Sequence, residues 1–161
     1  MTTVLLVALP VLGVALIFGV LWLVVLRPMV RRSNEWVTTF DDEVRLTGET
    51  VIKSPESAIY CGGTKPHSSV KGNGRIALTN RRLVFRKLTG PVEEVLVASI
   101  IGSRQAAWFR GERRGGRLHF VVEMVDAGEV GFFVRDISAW EQAVAEARAS
   151  GSGSARTAPL A

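Results

Sequence analysis

This sequence has little of what catalysis and cross-linking draw on. Its 161 residues include one cysteine, Cys61, and two histidines, His67 and His119. A single thiol excludes an internal disulfide framework and suits a reducing compartment. Cys61 and His67 stand six apart in a glycine-rich run, without the two further ligands that a zinc site of that kind needs. A free thiol at a strand end and a surface histidine is the simpler reading, so no metal and no cofactor is expected. Lys71-Gly72-Asn73-Gly74-Arg75 has glycines, but it has no Walker pattern and no strand-to-helix context, and it reads as a turn. No constellation of catalytic residues emerges, and the chain reads as a non-enzyme.

Charge is absent from the first 26 residues altogether. Lys plus Arg number 20 against 15 Asp plus Glu, a net +5, and all of it lies from Arg27 onward. The stretch Val4 to Leu26, VLLVALPVLGVALIFGVLWLVVL, has no polar face. As a helix it would reach about 34 Å, enough for a hydrocarbon core about 30 Å thick, so it is expected to cross a membrane. A cleaved signal peptide fits poorly, because Met1-Thr2-Thr3 lacks a basic n-region and Leu26-Arg27-Pro28 lacks small residues. Arg27, Arg31 and Arg32 flank only the C-terminal end. The positive-inside rule then places the N-terminus outside and the remainder in the cytoplasm, a single pass through the inner (plasma) membrane. Trp22 falls near that inner end, where an indole favours headgroups.

The chain divides on composition into an anchor (1–27), a juxtamembrane connector (28–45), a domain (46–149) and a Gly/Ser/Ala tail (150–161) expected to be disordered. In the connector, Trp36, Val37, Phe40 and Val44 fall at helical spacing. Asp41-Asp42-Glu43 reads as a solvated acidic face. From Gly48 the pattern turns to strands. Glu49 to Lys53 is a short strand, Ser54-Pro55-Glu56-Ser57 a turn, and Ala58 to Cys61 a resumption. GGTKPHSSVKGNG reads as a loop. Gly74 to Arg86 holds two apolar runs around a tight turn, with Asn80 suited to a left-handed conformation. Strands follow at Val92–Ala98, Ile100–Phe109, Leu118–Val125 and Glu129–Val134. In the third of these, His119, Val121, Glu123 and Val125 alternate with Leu118, Phe120, Val122 and Met124, so one face can be core and the other half solvated. Asp136 can cap a helix of about 12 residues with Ile137, Trp140, Val144 and Ala147 on one stripe.

The run Gly74-Arg75-Ile76-Ala77-Leu78-Thr79-Asn80-Arg81-Arg82-Leu83-Val84-Phe85 resembles the G-x-h-x-h-T-N-x-R-h-h-F hairpin (h apolar) of GRAM and bacterial pleckstrin-homology-like (PH-like) domains. Val95 to Ile101, Phe133-Val134 and Trp140 match later positions of that pattern. The resemblance covers residues 46–148. It implies an α+β fold, an antiparallel β-barrel or sandwich of six or seven strands capped by a C-terminal helix. Leu83, Phe85 and Trp140 are core residues on this reading.

Basic loops carry the functional signal. One group is Lys65, Lys71 and Arg75. The resemblance implies a lipid-binding loop there, although the family's basic spacing is incomplete. A second group is Arg81, Arg82, Arg86 and Lys87. A third is Arg110, Arg113, Arg114 and Arg117 beside Trp108 and Phe109, where aromatic rings would enter an interface while guanidinium groups meet phosphates. The expected partners are the bilayer and its anionic headgroups, or another membrane protein that the domain docks as a scaffolding subunit. Nucleic acid ranks low, because no groove-entering helix or stacking sheet is present.

Overall fold

A computed structural model of the chain describes residues 19–20, 22, 24, 27–113 and 115–154. Apart from four scattered positions, the stretch expected to cross a membrane lies outside them. Among the described residues no helix is long and apolar enough to cross a membrane. The chain divides into two compact units, Met1–Thr38 and Thr39–Ala161. The connector is helical: α1 runs Arg27–Thr47. Trp36, Phe40 and Val44 are buried along its stripe.

The second unit is a seven-stranded antiparallel sheet followed by one helix. The strands are β1 (Val51–Gly63), β2 (Gly72–Thr79), β3 (Arg82–Lys87), β4 (Val92–Leu96), β5 (Ile100–Ala106), β6 (His119–Met124) and β7 (Glu129–Phe133), and the helix is α2 (Ile137–Ser154). Their order across the sheet is β4-β3-β2-β1-β7-β6-β5. This order fits the PH-like architecture that the hairpin resemblance implies. It does so as an open sheet with β4 and β5 at its edges, not as a closed barrel.

β1 is central because it is long enough to pair twice. Its first part runs against β2 and its last residues against β7. The turn expected at Ser54–Ser57 is absent. The strand instead passes through register shifts between Val51 and Lys53 and between Lys53 and Glu56. Proline has no amide to donate to the ladder, and a bulge accommodates it without ending the strand. Likewise Gly72 and Gly74 belong to β2 and not to a turn. A side chain at Gly74 would collide with the Arg86 carbonyl and the Phe85 ring, so close strand approach is what this glycine permits.

The β2–β3 hairpin forms where the motif placed it, with Ile76 opposite Phe85 and Leu78 opposite Leu83. Its turn chemistry differs from expectation, because Asn80 does not adopt a positive φ. Thr79 Oγ1 instead accepts the Arg81 and Arg82 amides at 3.2 and 3.0 Å. Asn80 Oδ1 accepts the Thr50 amide at 3.0 Å, tying the hairpin tip to the start of β1. Side-chain oxygens thus satisfy the turn.

The main core gathers Tyr60, Ile76, Leu83, Phe85, Phe120 and Phe132 under Trp140 of α2. The Asp136 carboxylate caps α2, accepting the Ala139 amide at 3.0 Å. The Trp140 indole donates to Glu56 at 2.7 Å. The helix has 18 residues and runs to Ser154, past the expected start of the disordered tail; residues 155–161 lie outside the described range. Because strand side chains alternate, the other face of β1, β6 and β7 presents Cys61, Val121 and Phe133. These form a second small core with Ala106 and Phe109. His119 is fully buried there.

Candidate functional site

Two loops meet at the far end of β2 from the hairpin tip. One joins β1 to β2 (64–71) and the other joins β5 to β6 (107–118). Lys71 Nζ of the first lies 2.6 Å from Glu112 Oε2 of the second. Four arginines of the second loop stand against a single glutamate.

The β5–β6 loop is pinned from beneath. Phe109, expected at an interface, is buried, its ring lying over Gly131 where no side chain would fit. The burial of this ring removes it from the candidate surface and makes it the anchor of the loop. Phe109 and Glu112 exchange both backbone hydrogen bonds, at 3.1 and 2.9 Å. The two residues between them, Arg110 (φ 46°) and Gly111 (φ 78°), both lie at positive φ. Two positive φ angles in a two-residue connection make a type I′ hairpin tip. Glycine is at ease there, whereas an arginine costs of order 1 kcal/mol or more, held by the surrounding packing. On this rigid tip Trp108 is 64% exposed. Arg110 and Arg113 are exposed on either side of Gly111 and Glu112. Arg117 lies 5.8 Å from the Phe133 ring. Arg114 lies outside the described residues.

The β1–β2 loop is held as firmly. The Thr64 amide donates to the Glu129 carbonyl at 2.8 Å, and the Tyr60 hydroxyl donates to the Ser68 carbonyl at 2.8 Å. Ser68 N–H reaches Glu93 at 3.3 Å. Burial raises the Tyr60 phenol above the ordinary tyrosine range; Glu93 adds to this and Arg110 opposes it. Lys65 is exposed on the loop. Among the described residues no carboxylate pairs with Lys65, Arg110 or Arg113.

Several residues of the expected surface are elsewhere or already engaged. Arg82 pairs with three carboxylates: Glu43 at 2.6 Å, Glu49 at 3.2 Å and Glu94 at 2.9 Å. Burial lowers the pKa of this guanidinium, but the hydrogen bonds to Glu43 and Glu49 outweigh it and raise the pKa above the ordinary value. Arg82 is therefore structural, and Glu43 is its partner as well as part of a solvated face. Lys87 is buried, 2.8 Å from Glu93 and 4.6 Å from the Tyr60 ring centroid. Arg75 is half-buried within β2. Arg81 is exposed at the opposite end of β2, which at about 3.3 Å per residue is roughly 26 Å from Lys71. There it lines a groove of about 890 Å³ with Arg148, Val97 and Ile100. The sequence groups thus resolve into one loop pair, Lys65, Lys71, Trp108, Arg110 and Arg113, with Arg81 separate.

The sequence reading missed one donor set. Among the described residues, Cys61, Glu112 and His119 bring a sulfur, a carboxylate oxygen and a ring nitrogen within 4.8 Å of one another. Cys61 thus meets His119, not His67, whose Nδ1 lies 3.8 Å from Glu93. No local spacing announces the set, since its members come from two strands and a loop.

No protein-family model matches the chain, and no curated protein matches it. Solved structures similar in shape include two with little sequence in common with this chain. One is the C-terminal domain of an unknown protein from Leishmania infantum, 14% identical over 71% of this chain and 95% of that one, with a TM-score of 0.45. The other is the N-terminal PH domain of the human ARAP2 protein, 13% identical over 66% of this chain and 88% of that one, with a TM-score of 0.40. Neither likeness bears on what this chain binds.

Proposed function

We propose that the chain is a membrane-anchored, non-catalytic PH/GRAM-like module whose paired loops bind anionic lipid headgroups at the cytoplasmic surface of the bilayer. The observation that carries the reading is the β5–β6 tip. Trp108 is exposed beside Arg110 and Arg113, on a turn that Phe109 pins, with Lys65 on the adjoining loop. An indole favours the headgroup region, and guanidinium groups match phosphate geometry. The uncharged stretch Val4 to Leu26 supports tethering, and the three arginines after it support the orientation. A reporter fused after Ala161 that is active only outside the cytoplasm would reverse that orientation.

Each cation near an anionic surface contributes about 1 kcal/mol, so removing two is worth about 2 kcal/mol, or roughly 30-fold in affinity. The test is sedimentation of the compact unit Thr39–Ala161 with anionic and neutral vesicles at low and high salt. The unit should pellet with anionic vesicles only, and salt should release it. The Arg110→Ala/Arg113→Ala pair should weaken binding roughly 30-fold on the same accounting, and Trp108→Ala should weaken it further while leaving stability within about 0.5 kcal/mol. A unit that stays in the supernatant throughout overturns lipid recognition. The scaffolding alternative would then be pursued by crosslinking the full chain in its membrane.

A further inference from the structure

Beneath the basic tip lies a cluster that headgroup binding does not use. His119, from β6, is fully buried on the outer face of the sheet. Its ring sits 4.2 Å from the Phe133 ring and 6.0 Å from the Phe109 ring, centroid to centroid. Nδ1 lies 3.1 Å from the Ala106 carbonyl oxygen. A carbonyl only accepts, so Nδ1 carries the ring proton and Nε2 is the nitrogen left to act as a ligand. Nε2 is buried and has no hydrogen-bond partner among the described residues. Leaving such an acceptor unmet costs about 1–3 kcal/mol, which calls for an explanation.

The surroundings supply one. The Cys61 sulfur, from β1, and a Glu112 carboxylate oxygen, from the loop, lie within 4.8 Å of a His119 ring nitrogen and of each other. A backbone carbonyl that holds the far nitrogen of an imidazole is also the support that orients metal-bound histidines. We propose that Cys61, Glu112 and His119 form a site for one divalent ion of the zinc class.

The donor set selects the ion. Thiolate and imidazole suit zinc and its neighbours, whereas calcium and magnesium demand oxygen shells. Three protein ligands leave the fourth tetrahedral position to water. That position lies on the Glu112 side, since the Glu112 side chain is 21% exposed while Cys61 and His119 are sealed. Donors of a tetrahedral zinc site stand roughly 3.5 Å apart, so the three draw in by about 1 Å on binding. The Glu112 backbone is fixed by the tip, and its part-exposed side chain supplies that travel by rotating about its own bonds. The Cys61 thiol releases its proton to water as the sulfur ligates, and the ion displaces none of the ring's support. Lys71 competes for the Glu112 carboxylate, which moderates affinity without supplying a ligand. An ion bound here joins the loop that carries Trp108 to strands β1 and β6, at its otherwise unmet histidine.

The full chain, purified and stripped of metal, is titrated with Co²⁺ and then with Zn²⁺. One equivalent of Co²⁺ should produce a near-ultraviolet thiolate-to-cobalt charge-transfer band with tetrahedral visible bands, and Zn²⁺ should erase them. Cys61→Ser should abolish the charge-transfer band. His119→Gln strikes a buried position and risks unfolding, so Glu112→Gln on the part-exposed loop serves as the second variant. It should keep the native circular dichroism and weaken Co²⁺ binding at least about tenfold. A folded wild-type chain with no charge-transfer band at one equivalent overturns the site. So does a band that persists in Cys61→Ser, or binding that Glu112→Gln leaves unchanged.

Discussion

Removing Glu93 alone should destabilise the domain far more than removing Glu93 and Lys87 together. The two groups are 2.8 Å apart, and their side chains are 8% and 2% exposed. With an effective dielectric of 20 the bare attraction at that distance is about 6 kcal/mol, offset by several kcal/mol of lost hydration for each ion. The pair therefore adds little net stability, but each member depends on the other. In Glu93→Gln the Lys87 ammonium keeps the Tyr60 ring at 4.6 Å, worth about 1–2 kcal/mol, and loses its counter-charge. The Ser68 amide loses its carboxylate acceptor as well. A cost of about 3–4 kcal/mol is expected, and a similar one for Lys87→Met, which strands Glu93. The apolar pair Lys87→Met/Glu93→Leu should fall within about 1–2 kcal/mol of the parent, a coupling of more than about 3 kcal/mol. Urea denaturation of the compact unit reads this as a shift in midpoint at constant slope. Single variants that each cost less than about 1 kcal/mol would refute it. So would a double variant equal to their sum, because either result requires the charges to be hydrated.

Three other outcomes follow from the same geometry. Arg82→Met leaves Glu43, Glu49 and Glu94 facing one another and should cost about 2 kcal/mol by urea denaturation, reduced from the fully buried case because Glu43 and Glu94 are nearly half exposed. Vesicle sedimentation of that variant should be unchanged, since this arginine is already engaged. Tyr60 is the only tyrosine, and its folded pKa is raised by burial and then by Glu93. Its contribution is fully present below pH about 10, the ordinary phenol value, and is lost as pH rises through the folded value. Alkaline unfolding should therefore coincide with tyrosinate absorbance, and Tyr60→Phe should flatten the pH slope. Gly131→Ala places a methyl in the Phe109 ring and should cost about 1–3 kcal/mol while freeing the loop, read as faster amide exchange at Phe109 and Glu112. Adding Phe109→Leu should recover part of that loss.

Much of the fold was legible because its signals are local. The β2–β3 hairpin follows from two alternating runs around Thr79-Asn80, and α2 follows from the Asp136 cap and its apolar stripe. Pro55 misled, because a proline beside serines normally marks a turn, and only pairing with β2 through a bulge keeps the strand continuous there. The end of α2 was placed too early, since Gly and Ser weaken a helix without forbidding it. Basic residues identified the loops but not which charges face solvent. Arg82 stands 39 residues from Glu43, and no spacing rule links them. Phe109 and Trp108 are adjacent aromatics with opposite fates, decided by the missing side chain of Gly131.

By itself, the sequence determined the uncharged N-terminal stretch, the antiparallel hairpins, the capped terminal helix and the excess of arginine in one loop. Each is a property of neighbouring residues, settled by periodicity, turn chemistry and charge. Only the tertiary structure decided which cations are spent on carboxylates, which aromatic anchors the basic tip, and that Cys61 meets Glu112 and His119. Those outcomes depend on strand order and on the bulges of β1, which bring distant positions to one face. Burial then sets their chemistry, because a charge or an imidazole removed from water must find its partner within the fold.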